Sequence, residues 1–197
     1  VTTSDCKISS PSRQRVLTAA RHCFARDGFH GASMKSICKA CDMSPGTLYH
    51  HFASKEALIE EIIQQDQQRA FARFDDSAEQ RDVVEEMIAN LLAVREEDQA
   101  QRSLVIEIMA EGMRNPLVAE MLERKHQAIM QRVIERLEKG KAQGAIAANI
   151  DLNAVASLLL SLTYGVLADT GSAMQLSDQQ RRNTLTAMIN GLLGIRQ

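Results

Sequence analysis

The sequence predicts an all-α protein of about nine helices, built as a small three-helix head followed by a larger helical body. Three observations lead there. First, apolar residues recur three and four apart through most of the chain, and no stretch alternates apolar with polar as a half-buried strand would. Second, the 3 prolines and 10 glycines fall mostly at the ends of these periodic segments, where they start or stop helices. Third, residues 1–60 hold eight Lys/Arg against five Asp/Glu, a net +3, while the rest holds fifteen against twenty, a net −5. The overall charge of −2 hides this split. A basic head on an acidic body suits a nucleic-acid-reading module joined to a domain with another task.

With 197 residues and 45% hydrophobic content the chain can bury one large core or two modest ones. It lacks a run of about eighteen apolar residues, so no membrane partner is expected. The opening VTTSDCKISSPS is polar, has no signal-like apolar region, and reads as a disordered arm over 1–11. Four cysteines without framework spacing suggest a reducing cytoplasm.

The head is expected over 12–58. Ser12 is placed as the cap of the first helix, with Val16, Leu17, Ala20 and Phe24 on one apolar face and Gly28 as its terminating glycine. The segment SMKSICKACDMSPGTLYHHFASK, residues 33–55, follows as two short helices around a tight turn. Met34, Ile37 and Cys38 make a buried stripe on the first, and the turn falls at Asp42 and Met43. Ser44 caps the second, Pro45 takes its first position, and Leu48 and Phe52 give it a buried face. Such a short helix cannot stand alone and must lean on the one before it. That is a helix-turn-helix, whose second helix enters the DNA major groove with its N-terminal residues at the base edges. Pro45, Gly46 and Thr47 carry no bulk, so backbone can approach DNA closely, and Thr47 can reach a base edge. Tyr49 and His50 point away from the buried stripe towards phosphates. Ser54 caps the next helix, and Lys55 in its first turn is read as a phosphate hook. The expected DNA-contacting set is Ser33, Lys35, Ser44, Pro45, Gly46, Thr47, Tyr49, His50 and Lys55.

The body is expected over 59–197. A helix over 54–75, with Leu58, Ile62 and Ile63 packing back on the head, links the two parts. Helices follow at 82–96, 100–113 and 116–139, the last started by Asn115 and Pro116. Asp151 caps a helix to 169 that is apolar almost all round, and Ser177 caps a final one to 193.

The helix-turn-helix residues resemble the DNA-binding signature of the TetR family of repressors. Ile37, Cys38, Ala40, Ser44, Gly46, Thr47, Leu48, Tyr49, Phe52, Ser54, Lys55, Glu56 and Leu58 match that pattern in order. Departures are Asp42 in place of a usual glycine, Met43 in place of a β-branched residue, and His51 in place of a frequent tyrosine. The resemblance implies a homodimer formed by the last two helices, a double-stranded DNA operator, and a small-molecule inducer bound in the body. The interface residues expected on that basis are Leu159, Val166, Leu185, Met188 and Leu192. Two further segments, MAEGMRNPLVAEML and LLLSLTYGVLAD, resemble repressors of glucuronide utilisation. They make a glucuronide, sugar acid or glycoside a candidate inducer. The rival class is drugs, with the repressor guarding an efflux pump; few aromatics argue against an aromatic drug cage.

For the pocket the expected residues are Met87, Met109, Met113, His126, Met130, Leu160 and Tyr164. Methionine suits adaptable cavities but equally fills cores. Tyr164, on a buried helix, needs a hydroxyl partner, which Glu107, Glu111 or a ligand could supply. Arg95 and Arg102 are the cations expected nearest to it. His126 lies in the charged stretch Glu123-Arg124-Lys125-His126 and has solvent exposure as its plainer reading. Cys38 and Cys41 form a C-x-x-C that could sense thiol chemistry or metal, but no second pair sits nearby, and buried thiols are the favoured reading; Cys23 is read as core and Cys6 as part of the arm. No cofactor is expected, and no nucleophile–base set or phosphate loop suggests an enzyme.

Overall fold

The computed structural model describes residues 10–75, 82–169 and 176–195. Among these residues nine α-helices form and no strand: α1 Pro11–Gly31, α2 Met34–Ala40, α3 Pro45–His51, α4 Lys55–Asp75, α5 Val83–Arg95, α6 Gln99–Gly112, α7 Pro116–Ala142, α8 Leu152–Ala168 and α9 Asp178–Leu193.

The first helix starts earlier than its sequence suggests. Ser10, not Ser12, caps it: its Oγ accepts from the Arg13 amide at 3.3 Å, and Pro11 takes the first position. An arm through residue 11 is therefore too long, since Ser10 and Pro11 already belong to the helix. Residues 1–9, with Cys6, lie outside the described residues. Gly28 does interrupt α1, at φ +70°, but helix resumes through Gly31, so the glycine kinks the element rather than ending it. A Cβ there would also stand 2.9 Å from Glu107 Oε1.

The two short helices are seven residues each and are held by their ends and by burial. Ser33 and Ser36 cap α2 reciprocally. Asp42 takes the left-handed turn position at φ +51°, the conformation a glycine would supply more cheaply. Ile37, Leu48, Phe52, Leu58 and Ile62 close over Val16, Leu17, Ala20 and Phe24 of α1 in one apolar core. Leu104 and Ile108 of α6 and Val118 of α7 belong to the same core. The head is thus packed onto the body, and the expected break at residue 58 falls inside the continuous helix α4.

A second core fills the body. Met87, Ile88 and Leu91 of α5 meet Ile129, Val133 and Leu137 of α7, Val155, Leu159 and Leu160 of α8, and Ile189 and Leu193 of α9. Asp151 Oδ1 accepts the Asn153 and Ala154 amides to start α8, and Ser177 with Gln180 forms a reciprocal cap on α9. No helix among the described residues is long and apolar enough to cross a membrane.

Candidate functional site

The head presents the first turn of α3 outward. Ser44 Oγ caps it by accepting from the Thr47 amide at 3.2 Å and lies 2.9 Å from Thr47 Oγ1. Pro45, Gly46 and Thr47 are exposed, as are Ser33 and Lys35 on α2 and Tyr49 and His50 further along α3. A Cβ on Gly46 would meet only Ser44 Oγ, at 3.9 Å, so nothing inside the protein requires glycine there. Its cost of about 1 kcal/mol in a helix has no internal offset.

Lys55 is held by contacts within the protein. Its Nζ donates to the carbonyls of Phe29 at 2.6 Å and Ala32 at 2.9 Å and sits 4.3 Å from the Phe29 ring centroid. The ammonium ties α4 to the end of α1 instead of standing free as a phosphate hook. The C-x-x-C thiols are likewise used internally. Cys38 Sγ donates to Met43 O at 2.7 Å, Cys41 Sγ to Cys38 O at 3.4 Å, and burial pushes the Cys41 thiol up, away from the reactive thiolate.

The body holds a cavity of about 110 Å³ between α4, α5, α6, α7 and α8. One wall is apolar: Met87, Leu91, Val94, Ile129, Val133, Leu159, Leu160 and Leu167. Much of the rest of the lining is polar: Asp66, Arg69 and Arg73 from α4, Asn90 from α5, Gln101 from α6 and Lys125 from α7, with Glu97 from the loop between α5 and α6. Thr163 and Tyr164 complete it from α8. A smaller void of about 10 Å³ adjoins it, lined by Ile63, Ile108, Met109 and Leu122 and sharing Asp66, Val105, Lys125 and Tyr164.

Charge among the polar lining residues is partly paired. Asp66 Oδ1 accepts from Arg21 of α1 and from Gln101, both at 3.3 Å, and from Arg69. Arg73 meets Glu97 at 3.4 Å. Lys125 has neither hydrogen bond nor ion pair among the described residues; burial pulls its ammonium below the usual lysine value, and the nearby Asp66 only partly restores it. Among the described residues the Tyr164 hydroxyl also lacks a hydrogen bond, and burial raises it above its ordinary value.

Of the expected pocket residues, Met87, Leu160 and Tyr164 line the cavity. Met109 faces only the adjoining void, and Met130 packs against the second core. Met113 is 89% exposed because it follows the end of α6. His126 does not line the cavity; helical rotation turns its neighbour Lys125 inward, four residues before Ile129 and eight before Val133. The cations are Lys125, Arg69 and Arg73 in place of Arg95 and Arg102. Arg102 is spent on the C-terminus of α8, donating to Leu167 O at 3.1 Å and to Asp169 O. Glu107 and Glu111 do not serve Tyr164 either: Glu107 Oε1 accepts the Phe29 amide at 2.8 Å, and buried Glu111 accepts from Asn115 at 3.1 Å. The missed residues did carry a signal, since Asp66 continues the Ile59, Ile62 stripe and a charge on an apolar stripe calls for an explanation.

At α8 and α9 the expected interface set divides. Leu159 turns inward to the cavity wall, and Leu185 and Leu192 are half-buried against the second core. Val166 is half-buried, whereas Met188 is exposed, and Leu158 is exposed as well. Gly165 and Gly191 have open space where a Cβ would stand.

The family models fit this division of labour. Residues 16–62 match the bacterial regulatory proteins of the tetR family, and residues 80–194 match the C-terminal domain of BetI-type transcriptional repressors. The chain belongs to the TetR family. It is 49% identical over 185 residues to the HTH-type transcriptional regulator UidR of Escherichia coli K12, covering 94% of each chain. Salmonella enterica GusR superposes with a TM-score of 0.87 at 51% identity, over 95% of this chain and 99% of that one. The fatty acid degradation regulator FadR of Bacillus halodurans shares the fold alone, with a TM-score of 0.73 at 19% identity over 96% of each chain. The TetR-type chain is thus a DNA-binding transcriptional regulator with a helix-turn-helix head.

Proposed function

We propose that this protein represses transcription as a homodimer on a two-fold operator and is released by an anionic small-molecule inducer, a glucuronide or related sugar acid. The observation that carries the inducer class is the Lys125 ammonium in the cavity lining, half-buried and without a counter-ion of its own. A charge left so costs free energy until an anion arrives. Arg69 and Arg73 flank it, so a carboxylate enters a field that repels cationic drugs. Tyr164 offers a hydroxyl for the sugar and, among the described residues, is the sole aromatic side chain lining the cavity, which gives an aromatic drug cage little to build on. The apolar wall suits the aglycone of a glycoside. This agrees with the identity to UidR and GusR.

For the operator, exposed Pro45, Gly46 and Thr47 would meet base edges, with Ser33, Lys35, Ser44, Tyr49 and His50 around them. Gly46 supports this, because close approach of an outside partner accounts for a glycine that the fold does not need. For the dimer, exposed Leu158 and Met188 beside the open Gly165 and Gly191 offer an apolar, closely approachable face on α8 and α9. Induction requires only that the ligand bind the released conformation better than the operator-bound one. The test is a mobility shift on DNA from upstream of the protein's own gene, with and without phenyl β-D-glucuronide. Release by the glucuronide but not by phenyl β-D-glucoside, which lacks the carboxylate, is the expected result; equal effects would sink the anionic-inducer reading.

A further inference from the structure

We infer that Arg21 couples the cavity to the DNA-reading head, by sharing the carboxylate of Asp66 with the cavity wall. Arg21 belongs to α1, whose Val16, Leu17, Ala20 and Phe24 are fully built into the head core. Its guanidinium leaves the head and reaches two other helices: Nη1 donates to Asp66 Oδ1 of α4 at 3.3 Å and to Gln101 Oε1 of α6 at 3.1 Å, and Nη2 donates to Gln65 Oε1 at 3.1 Å. Arg21 itself does not line the cavity, whereas Asp66, Gln101 and Arg69 all do. One oxygen, Asp66 Oδ1, accepts from all three of Arg21, Gln101 and Arg69. The side chains of Arg21 and Asp66 are only 17% and 8% exposed, so water cannot readily replace a partner that is lost.

An oxygen divided among three donors responds to each of them. A ligand anion seated against Lys125 and Arg69 competes with Asp66 for Arg69 and brings a like charge towards the carboxylate. The Asp66–Arg21–Gln101 contacts must then redistribute, and Arg21 is rooted in the helix that carries the head. The planar fork of arginine makes this a directional link, which a lysine would not reproduce. This coupling rests on the ligand-site reading above, but it makes a claim that needs no ligand: a change at Arg69 reaches the head mainly through Arg21.

That claim is tested by operator affinity for four full-length proteins: wild type, Arg69→Ala, Arg21→Gln and the double variant. The expected result is that Arg69→Ala changes operator affinity at least fivefold in the wild-type background and less than twofold beside Arg21→Gln. Independent, multiplicative effects would overturn the coupling, as would an Arg69→Ala variant indistinguishable from wild type. If Arg21→Gln loses helical circular dichroism, Arg21→Lys takes its place, keeping the charge without the fork, with the same expectation. In a second arm, the ratio of phenyl β-D-glucuronide affinities for free and operator-bound protein should fall at least tenfold in Arg21→Gln; an unchanged ratio overturns the proposal. Failure of wild type to bind the glucuronide would count against the inducer class, and the ligand-free cycle then decides the coupling by itself.

Discussion

Two lysines illustrate how a charge is read from its surroundings. In the DNA-free protein two carbonyls and the Phe29 ring hold the Lys55 ammonium. Lys55→Met should therefore destabilise the folded protein by about 2 kcal/mol, the scale of hydrogen bonds to a charged group. Chemical denaturation checks this; a change confined to the salt dependence of DNA binding, with stability untouched, would restore the phosphate role. Lys125 is the converse case. Burial lowers its proton affinity in the folded state, so the unfolded chain binds more protons between that lowered value and the ordinary 10.5. Stability should accordingly rise with pH across that window. Lys125→Met should raise the melting temperature at neutral pH, remove this rise, and abolish the response to an anionic inducer. A melting temperature that falls would show that the ammonium has a stabilising partner.

At the scale of elements, α8 turns one face to the cavity and leaves another to solvent. Leu159, Leu160, Thr163, Tyr164 and Leu167 line the cavity, while Leu158 remains exposed. Leu158→Glu and Met188→Glu should each yield a folded monomer that no longer holds a two-fold operator. Leu192→Glu should instead cost stability as well, since Leu192 packs against the second core. Sedimentation and circular dichroism separate the two outcomes; a dimeric Leu158→Glu protein would remove this face from the interface. Helix existence was legible from the sequence because caps such as Ser44, Asp151 and Ser177 and the apolar spacing are local signals. The choice of which face of α8 meets a partner was not, because a helix apolar nearly all round gives no polar side to orient it. The cavity was legible at Tyr164, whose hydroxyl stood out on an apolar helix. It was missed at Lys125, one residue from His126, because only the rotation of α7 against its neighbours decides which of the two turns inward.

In the whole molecule, head and body share a core that runs from Val16 and Phe24 through Leu58 to Leu104, Ile108 and Val118. Contacts cross from α1 to α6 through Glu107 at the Phe29 amide and through Arg21 at Gln101. The cavity is walled in part by α4 and α6, the same helices that share the head's core. On the proposed function, binding energy at the cavity would become a change in operator affinity to the extent that the two conformations differ in it, with a coupling of about 1–3 kcal/mol as the usual range.

The central claim is that filling this cavity with an anionic glycoside releases DNA. The most direct measurement follows the anisotropy of a labelled upstream DNA fragment bound by the full-length protein as phenyl β-D-glucuronide is added, with Tyr164→Phe and Lys125→Met alongside. The account predicts release for wild type, release at roughly two- to tenfold higher glucuronide for Tyr164→Phe, corresponding to the loss of one hydrogen bond, and none for Lys125→Met. Identical release curves for all three proteins would contradict it, because the ligand would then be acting somewhere other than this cavity.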